Sequence, residues 1–117
     1  MIAYKVLCNI KGRLFSSFAL IPFEVEYHVG QWTLPSVAGT KLFIYLNKED
    51  AEKYIQSWGV AQELWEVEIQ GEPQPFWLQY QCGQEELVSR FANNDSDSVE
   101  YHGSSSVCNA IKPLRKL

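Results

Sequence analysis

Glu24, Glu26 and His28 stand at every second position of EVEYHVGQW, with Val25, Tyr27 and Val29 between them. Carboxylates and an imidazole are the side chains of acid–base catalysis and of metal ligation, so the spacing invites both readings. On a flat strand alternate side chains lie ~6.6 Å apart, which sets Glu24 roughly 13 Å from His28. All three therefore cannot grip one ion. Glu26 and His28 can be two of its ligands, because metal bonds to nitrogen and oxygen are ~2.0–2.2 Å long and side chains converge, but a further ligand must come from elsewhere. His102 is the only other histidine, and VEYH repeats the order Glu, aromatic, His. A composite site of Glu26, His28, Glu100 and His102 is thus one expectation. The other, adopted here, is the hydrated face of a half-buried antiparallel strand, with no metal and no cofactor.

Glu66 and Glu68 pose the same choice. Paired carboxylates perform acid–base work when burial or like charge drives their pKa values apart, yet opposite Trp65 and Val67 they read as the wet side of a strand. Nucleophile arrangements are weaker. Ser16-Ser17 and Ser104-Ser105-Ser106 lack the Gly-x-Ser-x-Gly elbow, and neither histidine has an identifiable orienting acid. The glycines at 12, 30, 39, 59, 71, 83 and 103 are isolated and match neither a P-loop nor a dinucleotide fingerprint. Cys8 sits in an apolar run and reads as a buried structural thiol, and no catalytic residue is assigned.

The tryptophans carry the remaining signal. Trp58 and Trp65 fit a core pattern. Trp32 follows a glycine in a loop, and Trp77 points opposite Phe76 and Leu78, so these two, with Tyr27, form the expected aromatic surface for a ligand or partner. The alternative is that the two tryptophans cap the core beneath the long loop.

The elements that would position these residues follow from periodicity. IAYKVLCN reads as a strand, Lys11-Gly12 as a turn, and RLFSSFA as the second arm of a hairpin. Pro22 interrupts, and EVEYHVG resumes alternation up to Gly30. QWTLPSVAGT is a loop, with Trp32 and Leu34 apolar enough to tuck beneath it. LFIY is a short buried strand and Asn47 a helix N-cap, with Glu49 and Asp50 in the first turn where the helix dipole favours anions. Ala51, Tyr54, Ile55 and Trp58 then recur at helical steps, which predicts a helix over 48–58 stopped by Gly59. ELWEVEIQ alternates again, with Trp65, Val67 and Ile69 inward. PFWLQYQC is a further strand candidate, with Phe76, Leu78 and Tyr80 on one face. QEELVSRFA reads as a short helix presenting Leu87, Val88 and Phe91, NNDSDS as a polar turn, and SVEYHGSSSVCNAI as one or two last strands before Pro113. No internal repeat is visible.

Composition bounds the class. A chain of 117 residues suits one domain spanning 1–117, and 16 aromatic residues, four of them Trp, favour sheet surfaces over slim helix packing. A formal charge of -4 repels duplex nucleic acid and anionic membranes at long range. The one basic cluster, Lys112, Arg115 and Lys116, reads as a solvated end. Cys8, Cys82 and Cys108 form no Cys-x-x-Cys pair, and MIAYKVLCNIKGR lacks the features of a secretory leader. No apolar stretch approaches the ~20 residues of a membrane span. A soluble, cytoplasmic protein is expected.

The order YKVL, a short hairpin, EVEYHVGQWTLP, LFIYLNKEDAEKY, LWEVEI and AIKPLRKL resembles a group of small bacterial, viral and environmental proteins of unknown function. That likeness covers most of the chain and rests on apolar patterns plus a Tyr-x-x-Gly-x-Trp segment. LFIYLNKEDAEKY and LWEVEI are also similar to the strand, helix and strand of ADP-ribosyltransferase-like domains. This second likeness implies an enzyme, active or degenerate, acting on a nicotinamide dinucleotide. YKVLC departs from it, lacking the Arg or His of that family's first strand, and no glutamate is assigned to its catalytic position. The expected architecture is α+β: a curved, mostly antiparallel sheet of five to seven strands with the 48–58 helix packed across it. The expected function is a non-catalytic binding or assembly module engaging a protein partner, a second copy or a small molecule near Tyr27, Trp32 and Trp77. An ADP-ribosyltransferase-like enzyme and a Glu/His metal domain are the alternatives.

Overall fold

Two left-handed residues start the architecture. Lys11 (φ 53°) and Gly12 (φ 84°) form the two-residue turn whose twist suits a hairpin, and Asn9 Oδ1 accepts the Gly12 N–H. In the computed structural model this turn joins β1 (Ile2–Ile10) to β2 (Arg13–Ser16) in the register Ile10↔Arg13. The structure describes residues 1–16, 24–58, 61–78, 83–97 and 103–117, with only the backbone of 56–58. Ser17, Pro22, Gly59, Tyr80, Cys82, Glu100, His102 and the Trp58 side chain, all named above, lie outside the described residues.

The chain continues through β3 (Glu26–Tyr27), β4 (Leu42–Tyr45), α1 (Lys48–Trp58), β5 (Gln62–Gln70), β6 (Gln74–Pro75), α2 (Gln84–Ala92), β7 (Ser105–Cys108) and β8 (Ala110–Lys116). The expected α+β class is what forms, as one antiparallel sheet of eight described strands with two helices on it. β1 is its spine. One edge pairs with β5 from Ile2↔Glu68 to Cys8↔Gln62. The other edge forks, giving its C-terminal half to β2 and its N-terminal end to β4 at Tyr4↔Tyr45. β3 extends the first arm, β7 and β6 the second, and β8 lies beyond β5. The segment after β3 then returns to β8 through a Thr33↔Ile111 bridge and a 2.8 Å bond from the Gly30 N–H to the Pro113 carbonyl. The sheet therefore curls around its inner face.

That inner face holds the main core: Ala3, Leu7, Leu14, Val25, Tyr27, Leu42, Ile44, Trp65, Val67, Ile69, Cys108 and Ile111. The outer face carries both helices. Ala51, Tyr54 and Ile55 of α1 cover Tyr4, Val6, Tyr45 and Leu64. Leu87 and Phe91 of α2 meet Phe43, Phe76 and Val107, and the rings of Phe43, Phe76 and Phe91 pack with centroids 4.8–6.1 Å apart. Asp50 ties the start of α1 to β7: its carboxylate accepts the Ser104 N–H at 2.8 Å while the Asn47 N–H donates to Ser104 Oγ. Hydrogen bonds from the Ser104 side chain and backbone hold the Asp50 carboxyl below its usual range.

Three expectations are corrected. The strand within EVEYHVG spans only Glu26–Tyr27, because the chain turns at Val29–Gly30 (Gly30 φ 77°), so Val29 is exposed instead of inward. Residues 76–78 leave the ladder after Pro75, and Phe76 turns into the α2 cluster. Pro113 lies within β8 instead of ending the strands. The β5–β8 register shifts there, with Val67 opposite Pro113 and Glu66 opposite Arg115, so Leu114 is the extra residue of a bulge. A proline has no ladder N–H to give, and bulges are where strands tolerate it.

Candidate functional site

The alternating acids of the opening stretch separate by environment. Glu24 and His28 are exposed, Val25 and Tyr27 are buried, and Glu26 forms a two-point ion pair with Arg13 at 2.6 and 3.1 Å. That hydrogen-bonded guanidinium holds the Glu26 carboxyl below its ordinary value. Among the described residues no group of three or more His, Cys, Asp or Glu side chains lies close enough to hold a metal ion. The other half of the composite arrangement, Glu100 and His102, is outside them.

Glu66 and Glu68 face outward, as the alternation predicts, and each meets a cation of β8: Glu66 with Arg115 at 2.8 Å, Glu68 with Lys112 at 3.2 Å. Lys116 reaches Glu63 on the inner-face rim at 3.1 Å. Burial raises the Glu63 carboxyl, and hydrogen bonds from Lys116, Trp65 and Asn9 more than reverse this. The basic terminal cluster therefore pairs with the acids of β5 along a strand edge, with Arg115 and Lys116 largely in solvent as the sequence reading expects and Lys112 half-buried.

The three expected aromatic contacts occupy three places. Tyr27 is 2% exposed and belongs to the inner core. Trp77 is half-buried beside α2, its backbone N–H bonded to Ser96 Oγ and its carbonyl accepting from Asp97. Trp32 alone presents a surface. It is 39% exposed, on the outer side of the bridge to β8, with Lys112 Nζ 4.9 Å from its ring centroid. The open recess at the start of α2, lined by Gly83, Gln84, Glu85 and Glu86, includes none of the three.

Pairing registers place Trp32 at the end of a row. Ile2 of β1 lies opposite Glu68 of β5, Glu68 opposite Lys112 of β8, and Lys112 against Trp32. The row reads apolar, acid, base, apolar, and Leu34, Val29 and Leu114 are further exposed apolar residues on or beside β8. Ala3, Val67 and Ile111 on the opposite face are fully buried.

A strongly perturbed cation is one the sequence reading passed over. Lys5 is 9% exposed among the core residues of the inner face, donating its ammonium to the Phe43 carbonyl where β4 parts from β1. Tyr27 supplies a ring 5.6 Å from Nζ. Burial lowers the Lys5 pKa to about 8, pushes the neighbouring Cys108 thiol up to about 11, and raises the Tyr27 phenol far above its usual range. Its parity with Ala3 and Leu7 was the available signal. Cys8, expected buried, is half-buried, and among the described residues Cys108 is the buried thiol.

Comparison of the chain with protein-family models, with curated proteins and with solved structures finds no match. The fold is thus a small α+β domain with a Phe43–Phe76–Phe91 cluster. Among the described residues no helix is long and apolar enough to cross a membrane.

Proposed function

We propose that this domain is a non-catalytic binding or assembly module that engages a protein partner through the outer row ending at Trp32. The observation that carries the reading is Trp32, 39% exposed and stacked under Lys112, whose charge is already paired with Glu68, with Leu34 exposed at 67% two residues further along the chain. A half-exposed indole flanked by a paired charge has the composition of an interface anchor: apolar area that is gained on contact, with a polar edge that fixes orientation. The inner face supports the same reading from the other side. Its one strongly perturbed cation, Lys5, is sealed by a carbonyl and a ring in a packed core, which gives a substrate no approach to it.

The test is partner retention from a cell extract by the immobilised chain and by its Trp32→Ala and Leu34→Ser variants. The wild type is expected to retain a protein that both variants lose while keeping their circular dichroism unchanged. Equal retention by all three removes the outer row as the binding surface.

A further inference from the structure

We propose that the partner at this row is a second copy of the chain, docked face to face across a two-fold axis parallel to β5 and β8. The inference rests on the reading of the outer row as a binding face and names its occupant. Four neighbouring positions set the order: Ile2, Glu68, Lys112, Trp32. Rotation by a half-turn about an axis along the strands reverses that order across the sheet and keeps each residue's position along it. Ile2 of one copy then meets Trp32 of the other, and Glu68 meets Lys112, twice over. A half-turn about the other in-plane axis sets Glu68 on Glu68 and is excluded by like charge.

The surface has the properties such a contact needs. Ile2 is 44% exposed, so an apolar residue stands at each end of the row to be covered. Within the patch Glu66 and Glu68 are balanced by Lys112 and Arg115, so the net charge of -4 on the whole chain is not concentrated where the copies meet. α1 covers Tyr4, Val6 and Leu64, further along the same face, and Ile2 and Glu68 belong to no packed cluster beneath it. Leu114, extruded by the bulge beside Pro113, adds apolar area next to the base column.

Sedimentation equilibrium of the full chain from about 1 μM to about 1 mM is the decisive measurement. The wild type is expected to pass from monomer to dimer across that range. Glu68→Lys and Lys112→Glu, each folded by circular dichroism, are expected to weaken self-association at least about tenfold, since each sets like charges across the axis. Mixed in equal amounts, the two variants are expected to pair with each other, an outcome that intrachain neutralisation alone does not produce. A wild type that stays monomeric at the highest concentration overturns the proposal. So does a dimer indifferent to both charge reversals. If the monomeric wild type still retains a different protein through Trp32, the second copy fails and the binding face stands. If Trp32→Ala changes neither association nor retention, both fail.

Discussion

Two lysines, each over an aromatic ring, occupy opposite faces of this sheet. Lys5 lies 5.6 Å from the Tyr27 centroid and Lys112 lies 4.9 Å from that of Trp32. Inside, the remaining partner is a neutral carbonyl, and burial takes the lysine down to about 8. Outside, the remaining partner is the Glu68 carboxylate, with both side chains reached by solvent. The same pairing therefore has two physical meanings. In the core it is a charge held at a cost, which couples folding to pH, and on the surface it is a weak contact left free to serve recognition.

The comparison predicts its largest contrast between the two rings. Tyr27→Ala removes a side chain that is almost wholly buried and leaves a void beneath Lys5, so it should destabilise the fold by about 3–5 kcal/mol. Trp32→Ala removes a half-exposed ring from a single bridge and should cost about 1 kcal/mol or less. Urea titration of both variants checks the ratio. A Trp32 loss equal to that of Tyr27 would make the outer row a structural element instead of a contact surface.

Parity made much of this legible. Val25 and Tyr27, Trp65, Val67 and Ile69 lie on the inner side that alternation assigns them, and Glu66 and Glu68 on the outer. Helix α1 occupies the expected 48–58. Lys5 stayed hidden because α1 covers the second face of β1 as well, so Val6 beside it is also buried and the polar–apolar rhythm disappears. Grouping Tyr27 with Trp32 followed their nearness in Tyr-x-x-Gly-x-Trp, yet the turn at Gly30 sends the two rings to opposite faces. The β8 strand was masked by Pro113, since a bulge is a property of register against β5 and has no local signature. Phe76 left its strand for a partner that local periodicity does not announce: Phe91 is delivered by α2, and the pairing is tertiary.

The next effect in size is the pH dependence of the inner face. An unfolded lysine titrates at 10.5 and Lys5 at about 8, so between these values the unfolded chain binds a proton that the folded one lacks, and stability rises with pH. Cys108 acts in the opposite sense from its ordinary 9.0 up to about 11, and Tyr45 from 10.0 up to about 12, each keeping its proton longer when folded. Stability is therefore expected to gain about 1 kcal/mol between pH 7 and pH 9 and to decline above that. Lys5→Met should abolish the rising limb and keep the falling one. Urea midpoints at pH 7, 8, 9 and 10 measure both, and a wild type whose stability already falls between pH 7 and pH 8.5 would remove the burial of the Lys5 charge from the account.

The smallest effect belongs to the outer ion pairs. Arg115 contacts Glu66 at 2.8 Å with most of its own side chain in water, so the Coulomb gain is screened and offset by the entropy of fixing two long side chains. Arg115→Gln should shift stability by about 0.5 kcal/mol or less, and raising the salt concentration should shrink even that difference. The same substitution also removes one cation from the column that balances Glu66 and Glu68. It should therefore weaken self-association by more than it weakens the fold, and the weakening should fade as salt is added. Measuring both quantities on one variant separates the two roles: equal free-energy losses would assign the charged stripe to folding alone, whereas a loss confined to association would assign it to recognition.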